Sequence, residues 1–174
     1  MSMRSLGSAL AKVLRPGDTV LLSGELGAGK TTFVQGVAAG LGITALVTSP
    51  TFVLVHSYPT SGGWDLLHAD VWRLAQLREV VDLALPEQVE QGAALLVEWG
   101  ERAAPALHSE RLRVEIEYED GAQPAPARDA RDAAQGPRHV RFSLSGASWA
   151  ARRSELRSAL EAAEPAHPVL PESC

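Results

Sequence analysis

The N-terminal part of the chain alternates between two kinds of apolar spacing. Over residues 4–14, apolar side chains recur every three or four positions, which predicts an amphipathic helix. A short apolar run at residues 19–22 (TVLL) follows a Pro-Gly-Asp turn and is typical of a buried parallel strand. Helical spacing returns over residues 31–41, so the sequence predicts a helix, a strand and a second helix in succession.

The middle of the chain carries three further strand-like segments: residues 52–58 (FVLVHSY), 64–69 (WDLLHA) and 93–97 (AALLV). A Ser-Gly-Gly turn at residues 61–63 predicts that the first two of these strands form a hairpin. Between the second and the third, residues 75–91 predict one or two short helices.

The C-terminal part predicts an antiparallel pair of strands. Residues 111–119 (RLRVEIEYE) alternate apolar and charged side chains, and residues 138–145 (RHVRFSLS) have the pattern of their partner. The intervening segment 120–137 is rich in Ala, Pro, Arg and Asp, which predicts a disordered or extended hairpin loop. Residues 148–163 predict a terminal helix, and the proline-containing residues 164–174 predict a flexible tail.

Composition narrows the class of protein. The 174 residues suffice for one domain, which we place at residues 1–163. The formal net charge of −5 disfavours tight direct binding of RNA or DNA, because nucleic-acid binders usually carry a basic face. The single cysteine, Cys174, excludes an intrachain disulfide. No long apolar run or signal peptide is found, so we expect a cytoplasmic location and no membrane association.

Residues 24–32 (GELGAGKTT) match the phosphate-binding pattern G-x-x-x-x-G-K-[ST] and lie between a predicted strand and a predicted helix. The glycines let backbone N–H groups converge on phosphate oxygens, and the helix adds its positive N-terminal end. Lys30 is expected to reach the β- and γ-phosphates, and the Thr31 hydroxyl to bind Mg²⁺. The alternative, a chance glycine-rich turn, is disfavoured by the strand–loop–helix setting.

The motif and the strand pattern together predict the fold class. We expect an α/β P-loop NTPase fold of three layers, with a mostly parallel central sheet and a C-terminal antiparallel hairpin. Two acids, Asp70 and Glu98, end strand-like runs, and ligands of parallel sheets bind at the carboxyl ends of the strands. Each acid could therefore face a nucleotide or be a solvated carboxylate, and the spacing alone leaves both interpretations open.

Four segments resemble one family when they are taken in order: GELGAGKTT (24–32), SPTFVLVHSY (49–58), HADVWRL (68–74) and LLVEWGER (95–102). With this combination the chain resembles the TsaE (YjeE) family, bacterial ATPases required for threonylcarbamoyladenosine modification of tRNA. The combination is more specific than the phosphate loop alone, because the Ser-Pro-Thr and Glu-Trp segments follow the loop at the sequence spacing found in that family.

The resemblance implies ATP and Mg²⁺ as cofactors and gives roles to individual residues. Thr51 is similar to a switch that senses the γ-phosphate, and Trp99 to a residue beside the nucleotide. From the residues alone, Thr51 could instead be an ordinary turn hydroxyl and Trp99 a core aromatic. His68 is interpreted as a structural strand residue. The implied catalytic residues are Lys30, Asp70 and Glu98; the implied metal ligands are Thr31 and Glu98; the implied nucleotide-binding residues are Gly27, Ala28, Gly29, Lys30, Thr31, Thr32, Thr51, Asp70 and Trp99.

The resemblance also implies a partner and a pathway. The chain is expected to be an accessory ATPase that is weakly active alone and cycles the TsaB–TsaD complex, and that reaches tRNA only indirectly. Family members usually place a strand and an adenine-contacting threonine before the first helix. This sequence begins almost directly on that helix, so either its true start lies further upstream or it lacks that nucleotide contact.

Two other functions are compatible with a phosphate loop. A small-molecule kinase would usually carry an arginine-rich lid, and the only arginine-rich stretch, residues 128–141, is of low complexity. A GTPase-like switch would need a guanine-reading N/T-K-x-D motif, which the sequence lacks. Both are therefore less favoured than an accessory ATPase.

Overall fold

The computed structural model describes residues 1–50, 53–119 and 137–163, and these ranges form a six-stranded sheet with helices on both faces. The strands are β1 (Thr19–Gly24), β2 (Val55–Pro59), β3 (Asp65–Asp70), β4 (Ala94–Glu98), β5 (Arg111–Tyr118) and β6 (Arg138–Ser145). The helices are α1 (Met3–Ala11), α2 (Lys30–Gly40), α3 (Leu77–Val81), α4 (Leu85–Glu90), α5 (Gly100–Ala103), α6 (Ala147–Ala151) and α7 (Arg153–Glu161), and a 3₁₀ turn spans Ala104–Ala106.

The strand order across the sheet is β2-β3-β4-β1-β5-β6. The four central strands run parallel, and each edge strand is antiparallel to its neighbour. The predicted fold class is therefore confirmed, as is the hairpin predicted for β2 and β3. Because the central strands run the same way, β3, β4 and β1 bring their carboxyl ends to one edge of the sheet.

Alternate residues of the central strands serve two apolar cores. Val20 and Leu22 of β1 pack on the face covered by α1, α2 and α7, whereas Leu21 packs with α3, α4 and α5 on the other face. A strand buried on both faces needs apolar residues at successive positions, which explains the uninterrupted run at the start of β1. The result is the predicted three-layer arrangement.

Helix α1 lies directly against α2. A Cβ atom added at Gly7 would collide with the backbone of α2, and one added at Gly36 would collide with the backbone of α1. The two helices can approach this closely only because both positions are glycine. Since α2 begins at Lys30, this contact fixes the helix that follows the phosphate-binding motif.

The predicted strand over residues 52–58 begins later than expected, at Val55. The N–H groups of Val53 and Leu54 both donate to the Pro50 carbonyl, and Leu54 adopts a left-handed φ of 71°. Val53 and Leu54, which were predicted to belong to the strand, therefore lie in a turn. The β propensity of the apolar residues did not indicate this local hydrogen bonding.

The terminal helix predicted over residues 148–163 is divided into α6 and α7, which meet at Arg152. The backbone of Arg152 leaves the helical region, with φ −97° and ψ 9°. Its guanidinium donates to both carboxylate oxygens of Asp18, at 2.7 and 2.6 Å. The interruption thus lies at the residue that forms a buried ion pair with the segment before β1.

No helix within the described ranges is long and apolar enough to span a membrane. The predictions of a loop over residues 120–137 and of a tail over residues 164–174 fall, apart from Pro137, outside the described residues.

Candidate functional site

Two buried carboxylates meet at the carboxyl edge of the sheet. Asp70 ends β3 and Glu98 ends β4, and the two are register partners in the parallel pair of strands. Both residues are buried, with 5% and 3% exposure. In the next pair of strands Glu98 is the register partner of Leu22, two residues before the end of β1. The two predicted acids are therefore neighbours, and Glu98 adjoins the strand that leads into the phosphate-binding motif.

The phosphate-binding motif forms the connection between β1 and α2. Gly24, Gly27 and Gly29 have φ values of 143°, 80° and 114°, a region that side chains with a Cβ rarely adopt. A Cβ at Gly24 would also collide with the Ile116 carbonyl. Within the described chain no side chain caps the first turn of α2, and that turn contains no acid. The loop and helix end thus present backbone N–H groups and a positive dipole, which suit an anion such as phosphate.

The ammonium group of Lys30 is held across the loop. Its Nζ donates to the carbonyls of Gly24 and Glu25, at 2.7 and 2.9 Å, and lies 3.7 Å from the ring centroid of Trp99. Burial lowers the pKa of Lys30, and the nearby carboxylates of Glu98, Glu101 and Asp70 oppose this shift. The cation is thus partly desolvated while its partners are neutral carbonyls and an aromatic face.

Glu98 connects the loop to the sheet interior. One of its carboxylate oxygens, Oε1, accepts a hydrogen bond from the Thr31 hydroxyl at 2.7 Å. The same oxygen lies 2.9 Å from Nε2 of His68, which is fully buried on β3. A hydroxyl and a carboxylate in contact at a strand end form an oxygen-rich donor set of the kind that Mg²⁺ prefers.

Within the described residues, Asp70 accepts hydrogen bonds from a side chain and from the backbone. Its Oδ2 accepts from the Ser49 hydroxyl at 2.6 Å, and its Oδ1 accepts from the backbone N–H of Trp72 at 2.9 Å. Ser49 begins the Ser-Pro-Thr segment, so this segment is attached to a site carboxylate. Thr51, the predicted switch residue of the segment, lies outside the described residues.

A stack of aromatic and cationic side chains runs outward from Lys30. The rings of Trp99 and Trp72 have centroids 4.2 Å apart, and the Arg102 guanidinium lies 4.8 Å from the ring of Trp72. Arg102 also donates to the Trp72 carbonyl at 2.8 Å. Trp99 has a left-handed φ of 60°, so its backbone turns sharply at the end of β4. The stack connects the motif lysine with the half-exposed Trp72 at the surface.

The structure gathers most of the residues that the sequence suggested. Lys30, Asp70, Glu98 and Trp99 lie around the same strand ends, and the remaining suggested residues within the described ranges occupy the loop or the first turn of α2: Gly27, Ala28, Gly29, Thr31 and Thr32. Their proposed roles toward a nucleotide are taken up below.

Sequence reasoning missed three residues of this cluster: His68, Ser49 and Trp72. His68 lies on β3, and the interpretation as a structural strand residue did not include the contact of its imidazole with Glu98. The two-residue period of β3 could have revealed it, since this period places His68 on the same face as Asp70. Ser49 and Trp72 carry no such signal, because their contacts depend on the path of loops.

Comparisons with known proteins identify the family of the chain. The family profile described as "Threonylcarbamoyl adenosine biosynthesis protein TsaE" matches residues 1–128. A relative from Streptomyces coelicolor, named tRNA threonylcarbamoyladenosine biosynthesis protein TsaE, is 44% identical over 150 residues, which cover 85% of this chain and 94% of that protein. A Bacillus subtilis protein of the same name is 42% identical over 113 residues, covering 65% of this chain and 70% of that protein.

A solved structure shares the fold. The crystal structure of Bacillus subtilis YdiB superimposes with a TM-score of 0.67 at 29% sequence identity, covering 90% of this chain and 87% of the other. The profile, the sequence relatives and this structure support the same assignment. The chain belongs to the TsaE family, whose members are named for the biosynthesis of tRNA threonylcarbamoyladenosine.

Proposed function

We propose that the chain is an accessory ATPase of tRNA N6-threonylcarbamoyladenosine (position 37) biosynthesis. It binds ATP with Mg²⁺ at the loop of residues 24–32 and hydrolyses ATP to cycle the TsaB–TsaD complex. The observation that carries the proposal is the 2.7 Å contact between the Thr31 hydroxyl and Glu98. This contact places the motif hydroxyl and a buried strand-end carboxylate together, as a phosphate site with a metal requires.

The residues present fit the proposed nucleotide. Glycines in left-handed conformations and the uncapped start of α2 suit phosphate oxygens, and Lys30 lies within the same loop. Thr31 and Glu98 supply the oxygens that would hold Mg²⁺. ATP with Mg²⁺ supplies the phosphoanhydride bond to be cleaved and a cation that neutralises phosphate charge.

The chain's own residues then divide the work. Lys30 exchanges its carbonyl partners for phosphate oxygens, which suits a cation that burial has partly desolvated. Asp70, fixed by Ser49 and by the Trp72 backbone, is positioned to orient the attacking water. Thr51 senses the γ-phosphate, and its neighbour Ser49 couples that segment to Asp70.

The partner assignment comes from family membership together with charge. Family members are named for a tRNA modification pathway, whereas this chain has a formal net charge of −5. An acidic protein has little electrostatic attraction for tRNA, so tRNA contact through TsaB–TsaD is the better fit. In this proposal, TsaD and not this chain transfers the threonylcarbamoyl group.

The test is ATP hydrolysis by the purified chain, with and without TsaB–TsaD. We expect weak Mg²⁺-dependent turnover that rises with TsaB–TsaD, and a loss of about a hundredfold or more in Lys30→Ala, because a stabiliser of developing phosphate charge is removed. Lys12→Ala is the matched control, since Lys12 is an exposed lysine that follows the last residue of α1. Stoichiometric phosphate transfer to a small metabolite, or a larger nucleotide-dependent thermal shift with GTP than with ATP, would refute the proposal.

A further inference from the structure

His68 is an unusual residue for the position it occupies. It lies on β3 between Leu66 and Asp70 on the face of the sheet that packs against α2, and it has no solvent exposure. Burying an imidazole costs free energy unless its nitrogens are hydrogen-bonded. An apolar side chain would fill this strand position without that cost, so the contact that His68 makes needs an explanation.

The hydrogen bond of His68 is directed at Glu98. Nε2 lies 2.9 Å from Oε1. In the tautomer that carries its hydrogen on Nε2, the ring donates to this carboxylate oxygen. Within the described residues, the other ring nitrogen, Nδ1, is buried and has no hydrogen-bond partner. Within the described residues, Glu98 is therefore the hydrogen-bond partner of this side chain.

Glu98 Oε1 has a second donor, the hydroxyl of Thr31. The two donors come from different elements, His68 from β3 and Thr31 from α2, so together they fix the orientation of the carboxylate. Thr31 is itself proposed to bind the cation, whereas His68 contacts Glu98 from the sheet interior. His68 is thus the donor dedicated to the carboxylate.

We propose that His68 is a positioning residue that orients Glu98 for Mg²⁺ binding through its Nε2–H. This inference rests on the proposed function, because it assumes that Glu98 holds the metal. Partners of metal ligands that donate or accept in this way typically contribute about ten- to a hundredfold in metal affinity.

Two substitutions of similar polarity separate positioning from packing. In His68→Gln the amide nitrogen can reach the place of Nε2. In His68→Asn the amide nitrogen lies near the place of Nδ1, and the side chain is too short to reach Glu98. Both variants leave a polar amide in the same core. A loss confined to His68→Asn would therefore report the bond to Glu98.

The measurements are the Mg²⁺ concentration for half-maximal ATP hydrolysis, the affinity for ADP in excess EDTA, and thermal unfolding without nucleotide. For His68→Asn we expect the half-maximal Mg²⁺ concentration to rise about ten- to a hundredfold while ADP affinity in EDTA stays at the wild-type value. His68→Gln is expected to restore a Mg²⁺ requirement close to that of the wild type.

A folded His68→Asn protein with a wild-type Mg²⁺ requirement would overturn the inference, as would an equal loss of ADP affinity in EDTA. If the wild-type chain shows no Mg²⁺-dependent hydrolysis, the proposed function itself fails, which is a separate result. Should His68→Asn not fold, ¹⁵N-histidine spectra of the wild type answer the same question. The Nε2–H signal of His68 should move when Mg²⁺ is added to the ADP complex, and an unmoved signal would overturn the inference.

Discussion

Two buried charged clusters lie at opposite ends of β1. At its amino end, Asp18 pairs with Arg152, and at its carboxyl end Glu98 contacts Thr31 and His68. All of these carboxylates are buried, so each needs compensating hydrogen bonds. The clusters differ in how completely those bonds are made.

The cluster at the amino end is saturated. The five N–H groups of Arg152 are matched by five acceptor contacts, to two oxygens of Asp18, the carbonyls of Val13 and Ser148 and the Ser148 hydroxyl. The hydrogen bond to Asp18 raises the pKa of Arg152, and the guanidinium lies 4.2 Å from the ring of Trp149. Every donor of this guanidinium is thus occupied by a group of the fold itself.

Under the proposed function, the cluster at the carboxyl end has partners that a ligand can replace. Lys30 donates to carbonyls of its own loop, and burial lowers its pKa. Glu98 receives two donors on one oxygen, and one of these, Thr31, lies in the first turn of the helix after the loop. The comparison teaches that burial alone does not identify a functional charge. In the proposed function, a functional charge is one whose partners a ligand replaces.

The largest effect is expected from breaking the saturated cluster. Arg152→Ala should lower the free energy of unfolding by about 3–5 kcal/mol, because it leaves the Asp18 carboxylate buried and unpaired. Urea unfolding followed by circular dichroism measures this loss. The matched control is Arg153→Ala at the exposed neighbouring position, which should change stability by about 0.5 kcal/mol or less. A loss below about 1 kcal/mol for Arg152→Ala would contradict the claim that the ion pair of Asp18 and Arg152 stabilises the fold.

The next effect tests the other end of β1. Glu98→Gln keeps the shape of the side chain and an oxygen that can accept from Thr31 and His68, so stability should change by about 1 kcal/mol or less. ATP hydrolysis should fall about a hundredfold or more, because an amide has no charge to hold the proposed metal. Glu87→Gln, an exposed residue of α4, is the control for loss of one carboxylate.

Steady-state phosphate release and thermal unfolding, measured on the same preparations, give the two readouts for Glu98→Gln. Hydrolysis at the wild-type rate would contradict the assigned role of Glu98. A loss of stability as large as that of Arg152→Ala would show that the two clusters serve the same structural purpose.

The sequence predicted those parts of the molecule that depend on local pattern. Apolar runs located the buried central strands, and the glycine spacing located the loop between β1 and α2. The rule that ligands bind at carboxyl ends of parallel strands indicated Asp70 and Glu98, which the register of β3 and β4 places side by side.

Contacts between distant residues could not be predicted in this way. The ion pair of Asp18 with Arg152 joins positions 134 residues apart, and it interrupts a terminal helix that helical spacing predicted as continuous. The bond from Ser49 to Asp70 joins positions 21 residues apart, and its donor lies in a loop. Neither contact between distant residues is indicated by local propensity.

The smallest effect is expected at Trp72, and Trp149 beside the other cluster serves as its comparison. Trp149 lies under Arg152 and is 1% exposed, whereas Trp72, at the outer part of the stack on Trp99, is 42% exposed. Trp72→Ala should lower the free energy of unfolding by about 0.5–1.5 kcal/mol through loss of ring stacking. Trp149→Ala should lower it by about 3–5 kcal/mol, because a fully buried ring leaves a cavity.

Urea unfolding of both tryptophan variants, with circular dichroism as the signal, measures this difference directly. A further readout is ATP hydrolysis by Trp72→Ala. It should stay near the wild-type rate, because Trp99 keeps its contact with Lys30 when the outer ring is removed. Equal losses of stability in the two variants would contradict the contrast between a saturated and an exchangeable cluster. The reason is that the stack at the carboxyl end would then be as firmly built into the core as the ring that supports Arg152.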